Sequence, residues 1–284
     1  MIKFFPFFFI LLWSSAFITT KPITDFSEPF TALAFRFLIV TAGFFIFSLH
    51  QNYKIIYERR IIINSFFSGV LFHGLYLGGV FFSISKGLPT GIAALIVTLN
   101  PLLTSILARP ILNEKISTKQ WIGVGLGFSG AVMVLGFDIG REIPVIGIIS
   151  VLISLFAITF ATLWQKKLSN DLSLPVNNMY QALGGFFFHF LIIIFIVDPY
   201  IEFSPEFIFA MSHQIILVSF GAFTILMFLI KRNSASKTVS LFFLIPATSA
   251  FIAWIFLDEV LNYFDIFGFL LSSIGVFIVT RDKK

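Results

Sequence analysis

Cysteine is absent from all 284 residues, which removes disulfide frameworks, thiolate metal sites and cysteine nucleophiles together. Charge is scarce as well. Only 12% of the residues are Asp, Glu, Lys or Arg, where soluble domains carry roughly a quarter. The fourteen acids all fall between apolar runs or at their ends, so no carboxylate is expected at depth. The patterns H-E-x-x-H, G-x-S-x-G and G-x-x-x-x-G-K do not occur, which argues against an enzyme and against nucleotide-driven pumping. No metal or other cofactor is expected. Long polar linkers and low-complexity tails are missing too.

What is present is apolar. Hydrophobic residues make up 58% of the chain and the mean hydropathy is +0.99, so the expected solvent is lipid. Ten apolar spans run over residues 4–20, 30–49, 61–84, 89–111, 119–137, 145–165, 176–197, 207–230, 238–257 and 264–280. Spans of about 20 residues cross a hydrocarbon core of roughly 30 Å, and their backbone groups must bond internally. The expected fold is therefore an all-α, multi-pass membrane protein, since the unbroken runs do not alternate as barrel strands do. The first span follows only Lys3 and has no small-residue cleavage site before "TTKP", so it reads as a retained helix rather than a signal peptide. The 41 Phe read as codon bias exchanging Phe and Ile for Leu, and no function is drawn from them.

"NPLLTSILARPILNE" (100–114) returns as "IPATSAFIAWIFLDE" (245–259). The same offset, 245 − 100 = 145, carries Pro101 to Pro246, Leu112 to Leu257, Glu114 to Glu259, Gly123 to Gly268, Gly130 to Gly275 and Val134 to Val279. Matched apolar residues are common by chance here, so the weight lies on Pro, Glu and the two Gly in one register. Such a repeat divides the chain into residues 1–140 and 141–284. Five spans per half is an odd number, so the second half starts from the opposite side and the repeat is inverted.

Positive charge sets the orientation. With both termini cytoplasmic, fifteen Lys and Arg lie inside, including Arg59, Arg60, Lys166, Lys167, Lys231 and Arg232. Only Lys21, Lys86 and Arg141 lie outside, and Arg36 lies within a span. The sequence pI near 9.5 then reflects topology, and nucleic-acid binding is not needed to explain it. Inverted repeats are a device of secondary carriers, which place a midplane site between two halves and open it alternately to each side.

Trp13-Ser14-Ser15-Ala16-Phe17, Arg36-Phe37 and the twice-written Pro101…Glu114…Gly123…Gly130 pattern together resemble the EamA-type branch of the drug/metabolite transporter (DMT) superfamily. That resemblance covers essentially the whole chain. It implies ten helices in two five-helix modules and a transport function, with no statement about substrate.

Depth along each helix, at about 1.5 Å per residue, brings Trp13, His73, Asn100 with Pro101, Ser154, Phe156, Ser219 and Pro246 to the midplane. Trp13, Ser14, His73, Tyr76 and Asn100 are the expected substrate-binding residues. His73 and Tyr76 share one helical face, and an ionisable group at that depth is costly unless it works; the alternative is a neutral histidine bonded to a backbone carbonyl, which also suits His189. Pro101 and Pro246 are expected to weaken two helices as a gating pair, or else to be kinks that aid packing. Arg36 is expected to snorkel or pair with Asp25 or Glu28, with direct contact to a substrate anion as the alternative.

Glu114 and Glu259 stand at opposite faces and cannot share one substrate, so a structural role is expected for both. Each precedes a helix start: Ser117-x-x-Gln120 reads as a capping box and Asn262-x-x-Asp265 as an N-cap. Gly123 and Gly268 open small-residue faces that permit close helix approach, within the bundle or across a homodimer seam. Trp164 and Trp254, near span ends, read as an interfacial belt. The expected function is an inner-membrane carrier for a small metabolite, an amino acid or related zwitterion. Its partners are that substrate and the lipid bilayer. A multidrug exporter is the runner-up, and a channel or lipid scramblase a more distant one.

Overall fold

The structure is a computed structural model that describes residues 4–56, 58–135, 144–168, 172–256 and 263–281. Its helices are α1 (Phe5–Asp25), α2 (Pro29–His50), α3 (Arg59–Ser85), α4 (Thr90–Val97), α5 (Asn100–Leu112), α6 (Thr118–Leu135), α7 (Val145–Leu168), α8 (Leu174–Phe195), α9 (Pro205–Arg232), α10 (Ala235–Val239), α11 (Ile245–Phe256) and α12 (Tyr263–Arg281). Among the described residues no strand forms beyond an isolated bridge between Ser27 and Ile201. Among the described residues seven helices are long and apolar enough to cross a membrane: α1, α2, α3, the α4–α5 segment Ile92–Leu112, α7, α8 and α9. The boundary expected between residues 140 and 141 lies outside the described residues, as do Glu259 and Asn262.

Local chemistry explains where these helices begin. The Glu28 carboxylate accepts from the backbone N–H groups of Phe30 and Thr31 (3.1 and 2.7 Å), with Pro29 in the first turn of α2. Ser204 caps α9 in the same way through Phe207 N (3.2 Å), ahead of Pro205. At α6 the capping box forms as the spacing predicts: Ser117 N donates to Gln120 Oε1 (2.9 Å) and Gln120 N to Ser117 Oγ (3.1 Å). These bonds satisfy donors that a helix start leaves unpaired.

The faces are sorted for a lipid solvent. Along α7, Ile149, Ile153, Phe156 and Phe160 point outward while Ser154, Thr159, Thr162 and Gln165 are buried. Polar side chains inside and bulky apolar ones outside is the reverse of a soluble helix, and it embeds the chain in a membrane. Phe156, placed at midplane depth by the sequence, therefore faces away from the bundle.

The repeat appears in the helix boundaries themselves. Adding 145 to the first residues of α2, α4, α5 and α6 (29, 90, 100 and 118) gives 174, 235, 245 and 263, the first residues of α8, α10, α11 and α12. Both copies break at the same place. The α4–α5 segment is interrupted at Thr98 and Leu99, just before Pro101, and a 3-10 turn over Ser240–Leu244 precedes Pro246. The ladder also slips at equivalent places, since α3 carries a π-helical stretch over Val70–Tyr76 and α9 one over Gln214–Ala222. Subtracting 145 from the latter range gives 69–77, which brackets the former.

α6 and α12 run antiparallel and almost touch. A Cβ on Gly123 would lie 2.7 Å from Gly275 O, and one on Gly275 would lie 2.4 Å from Gly127 N. Ser272 Oγ donates to Gly127 O at 3.2 Å. The small-residue faces are thus filled within the chain.

Candidate functional site

A cavity opens between α1, α2, α3 and α9, lined by Trp13 and Thr20, Arg36, Phe72, His73 and Tyr76, and Gln214, Ser219 and Phe223. Three of its walls come from the first repeat and one from the second. Its volume, about 30 Å³, is room for roughly one or two waters. The two π-helical stretches meet here, for His73 and Tyr76 stand in one and Gln214 and Ser219 in the other. π-helical turns shift the backbone pairing from i−4 to i−5 and recur at functional sites.

Arg36 is 3% exposed. Its Nε donates to Ser219 Oγ at 2.8 Å and its Nη1 to Gln214 Oε1 at 2.6 Å. The expected pairing with Asp25 or Glu28 does not form, because both acids are engaged elsewhere: Asp25 with Lys21 and Glu28 with the start of α2. The structure instead holds a buried guanidinium against two neutral partners. No carboxylate lines the cavity among the described residues.

Gln214 carries the contact onward. Its Nε2 donates to Ala16 O (2.9 Å) and Thr19 Oγ1 (3.0 Å) on α1. Beside it, His213 Nε2 bonds Ser15 Oγ at 3.0 Å. The first-helix phrase from Trp13 to Phe17 therefore works residue by residue. Trp13, Ala16 and Phe17 line the cavity, Ser15 and the Ala16 carbonyl meet α9, and Ser14 meets α11 by donating to Ile245 O at 3.3 Å and accepting from Ser249 at its own carbonyl (3.0 Å).

His73 lies between two aromatic rings, 4.5 Å from Phe37 and 4.4 Å from Phe223 between centroids, and its Nδ1 has no hydrogen-bond partner. Its carbonyl is bonded by His189 Nε2 at 3.0 Å. A carbonyl only accepts, so that nitrogen of His189 carries the proton. His189 thus takes the carbonyl-bonded arrangement, whereas His73 presents its ring to the cavity.

The sequence-based set is only partly brought together. Trp13, His73 and Tyr76 line the cavity; Ser14 and Asn100 do not. Asn100 is fully buried at the contact of α5 with α7, where its Oδ1 accepts from Thr104 (3.0 Å) and Thr159 (3.1 Å). Pro101 and Pro246 stand at the two helix breaks, outside the cavity wall. Glu114 accepts the Ala235 backbone N–H at 3.1 Å, which caps α10. Gly123 and Gly268 lie in the α6–α12 seam. Sequence reasoning missed Gln214, and its signal was a lone amide inside an apolar span.

The family of this fold is decided by the match to the EamA-like transporter family, which covers residues 4–136 and again 145–281. The chain belongs to the EamA-like transporter family. The twofold match falls on the two copies of the repeat, and membership places the chain among membrane transporters rather than enzymes. One EamA relative, named "Uncharacterized transporter YvbV", from Bacillus subtilis strain 168, is 25% identical over 98% of this chain and 90% of its own. Another, an "Uncharacterized transporter" from Archaeoglobus fulgidus, is 24% identical over 96% of both. A solved crystal structure of a protein superposes with a TM-score of 0.80 at 19% identity, covering 98% of this chain and 96% of that one, which shows a shared fold.

Proposed function

We propose that this EamA-family chain is a ten-helix secondary carrier of the inner membrane, with both termini cytoplasmic, that moves a small metabolite by alternating access. The observation that carries the reading is the position of the cavity, walled by α1, α2 and α3 of one repeat and α9 of the other. A site at the junction of inverted halves is reached from either side as the halves rock. The helix breaks before Pro101 and Pro246 supply equivalent weak points in both halves. The substrate class is an amino acid or a related polar solute, contacted by Trp13, His73 and Tyr76. A deep carboxylate for organic cations is missing from the cavity wall among the described residues, and this favours such a solute over multidrug export.

The test is counterflow in proteoliposomes of the purified full chain, preloaded with single unlabelled amino acids and offered the labelled form. Saturable, trans-stimulated uptake of at least one is expected. Flux that never saturates would instead indicate a channel.

A further inference from the structure

The structure assigns Arg36 a role beyond packing. We propose that it is the anion receptor of the cavity: the carboxylate of a solute with an apolar body displaces Gln214 and Ser219 from the guanidinium, and that exchange loosens the contact between the two repeats. The inference rests on the carrier reading above and names its substrate class.

A cation at this depth is retained against a large desolvation cost. Hydrogen bonds donated to the neutral acceptors Ser219 and Gln214 offset only part of that cost, and no counter-charge stands in the cavity wall among the described residues. The two N–H donors that Ser219 and Gln214 hold would bind a carboxylate more strongly than these neutral acceptors, and the planar fork matches it in two-pronged geometry. The rest of the wall is largely apolar, with Trp13, Phe72 and Phe223 beside Leu77, Val80 and Val218, which suits an apolar body rather than a bare inorganic ion. His73 Nδ1 adds an unpartnered polar atom on a residue that lines the same space.

The partners of Arg36 make the exchange consequential. Gln214 bridges Arg36 on α2 to Ala16 and Thr19 on α1, so one amide ties the second repeat to two helices of the first. A ligand shifts a conformational equilibrium only by its differential interaction with the states. A carboxylate that replaces Gln214 on Arg36 supplies that difference at the seam between the halves.

Detergent-purified full chain is tested by thermal shift and equilibrium binding with L-phenylalanine, 3-phenylpropanoate, phenethylamine, phenylalaninamide and inorganic phosphate. Both acids should bind at least about tenfold more tightly than the amine and the amide, the scale of a charge-assisted hydrogen bond, and phosphate should not stabilise the protein. Arg36→Gln should erase the preference for the acids, and Arg36→Lys should keep a weaker one. Gln214→Ala should tighten acid binding, because it removes the internal competitor. If the amine binds wild type as well as the acids, if phosphate matches them, or if Gln214→Ala weakens binding, the proposal is overturned. Failure of all five probes overturns it as well, while saturable counterflow of another solute would leave the carrier reading standing. The wild-type comparison needs no variant to fold.

Discussion

A Cβ on Gly268 would stand 2.6 Å from the carbonyl oxygen of Gly130, and a Cβ on Gly130 would stand 2.5 Å from the carbonyl oxygen of Gly268. The reciprocity has a geometric meaning. Gly123 meets Gly275, and Gly130 meets Gly268, so replacing both members of one contact by their repeat equivalents gives the other contact. Gly127 and Ser272, equivalents of each other (127 + 145 = 272), are bonded directly. Such a pattern requires a pseudo-twofold axis through the seam, perpendicular to two antiparallel helices. The contact thereby expresses the inverted repeat in atoms.

Because two of the three atoms that a new methyl would meet at Gly130, Gly268 O and Ser272 N at 2.5 Å, are backbone, the chain cannot yield cheaply there. Gly130→Ala should destabilise the protein by about 1 to 3 kcal/mol, the usual scale of overpacking. Gly125, with nothing within 4 Å of its Cβ position, is the control, and Gly125→Ala should be neutral or slightly stabilising. Melting temperatures of the two purified variants decide it; equal losses would mean that close approach at the seam is not what sets the cost.

Inversion also makes a topological prediction. Lys86 follows α3 and Asn233 follows α9, both exposed and separated by five crossings of the proposed topology. In this cysteine-free chain, Lys86→Cys should react with a membrane-impermeant maleimide from outside intact cells. Asn233→Cys should react only after permeabilisation. Labelling of both from the same side would break the five-plus-five arrangement.

Glu114 tests the structural reading of the paired glutamates. Its Oε1 caps the α10 backbone at Ala235, and its side chain borders a polar pocket of about 260 Å³ with Lys115, Gln120 and Arg232. Glu114→Ala should cost about 0.5 to 2 kcal/mol, the range for losing a helix cap. Glu114→Gln, which retains an acceptor oxygen, should cost less. Neither should change substrate affinity, which a binding isotherm on the surviving protein will show; a large affinity loss would place Glu114 in the transport path.

The start of α6, the equivalence of the halves and the helix breaks at Pro101 and Pro246 were legible in the sequence because they rest on short-range signals or on a fixed offset. The site was legible only in part. Depth along a span says nothing of direction around it, so Asn100 shares a level with Trp13 but faces Thr159 on α7. The two π-helical stretches left no mark, since a one-residue slip of the ladder needs no special composition. The partners of Arg36 stand 183 and 178 residues away, beyond any local pattern. Asp25 and Glu28, near in sequence, are taken by Lys21 and by the start of α2 instead.

His73 and Asn100 give the sharpest separation between lining the cavity and supporting it. Truncating His73 to Ala removes a ring from the cavity wall between Phe37 and Phe223 but leaves its backbone carbonyl, and hence the bond from His189, in place. His73→Ala should therefore weaken substrate binding by about 1 to 3 kcal/mol, roughly 5- to 150-fold, with the fold retained. Asn100→Ala strips the acceptor from the buried Thr104 hydroxyl and breaks the tie to Thr159, whose own hydroxyl keeps Leu155 O at 2.7 Å. That change should lower thermal stability by about 1 kcal/mol, the scale of one stranded donor, and leave the affinity of the surviving protein near wild type. Dissociation constants and melting temperatures of both variants, measured with the amino acid that counterflow selects, decide between the roles. A large affinity loss in Asn100→Ala beside an unchanged His73→Ala would move the site to the α5–α7 contact.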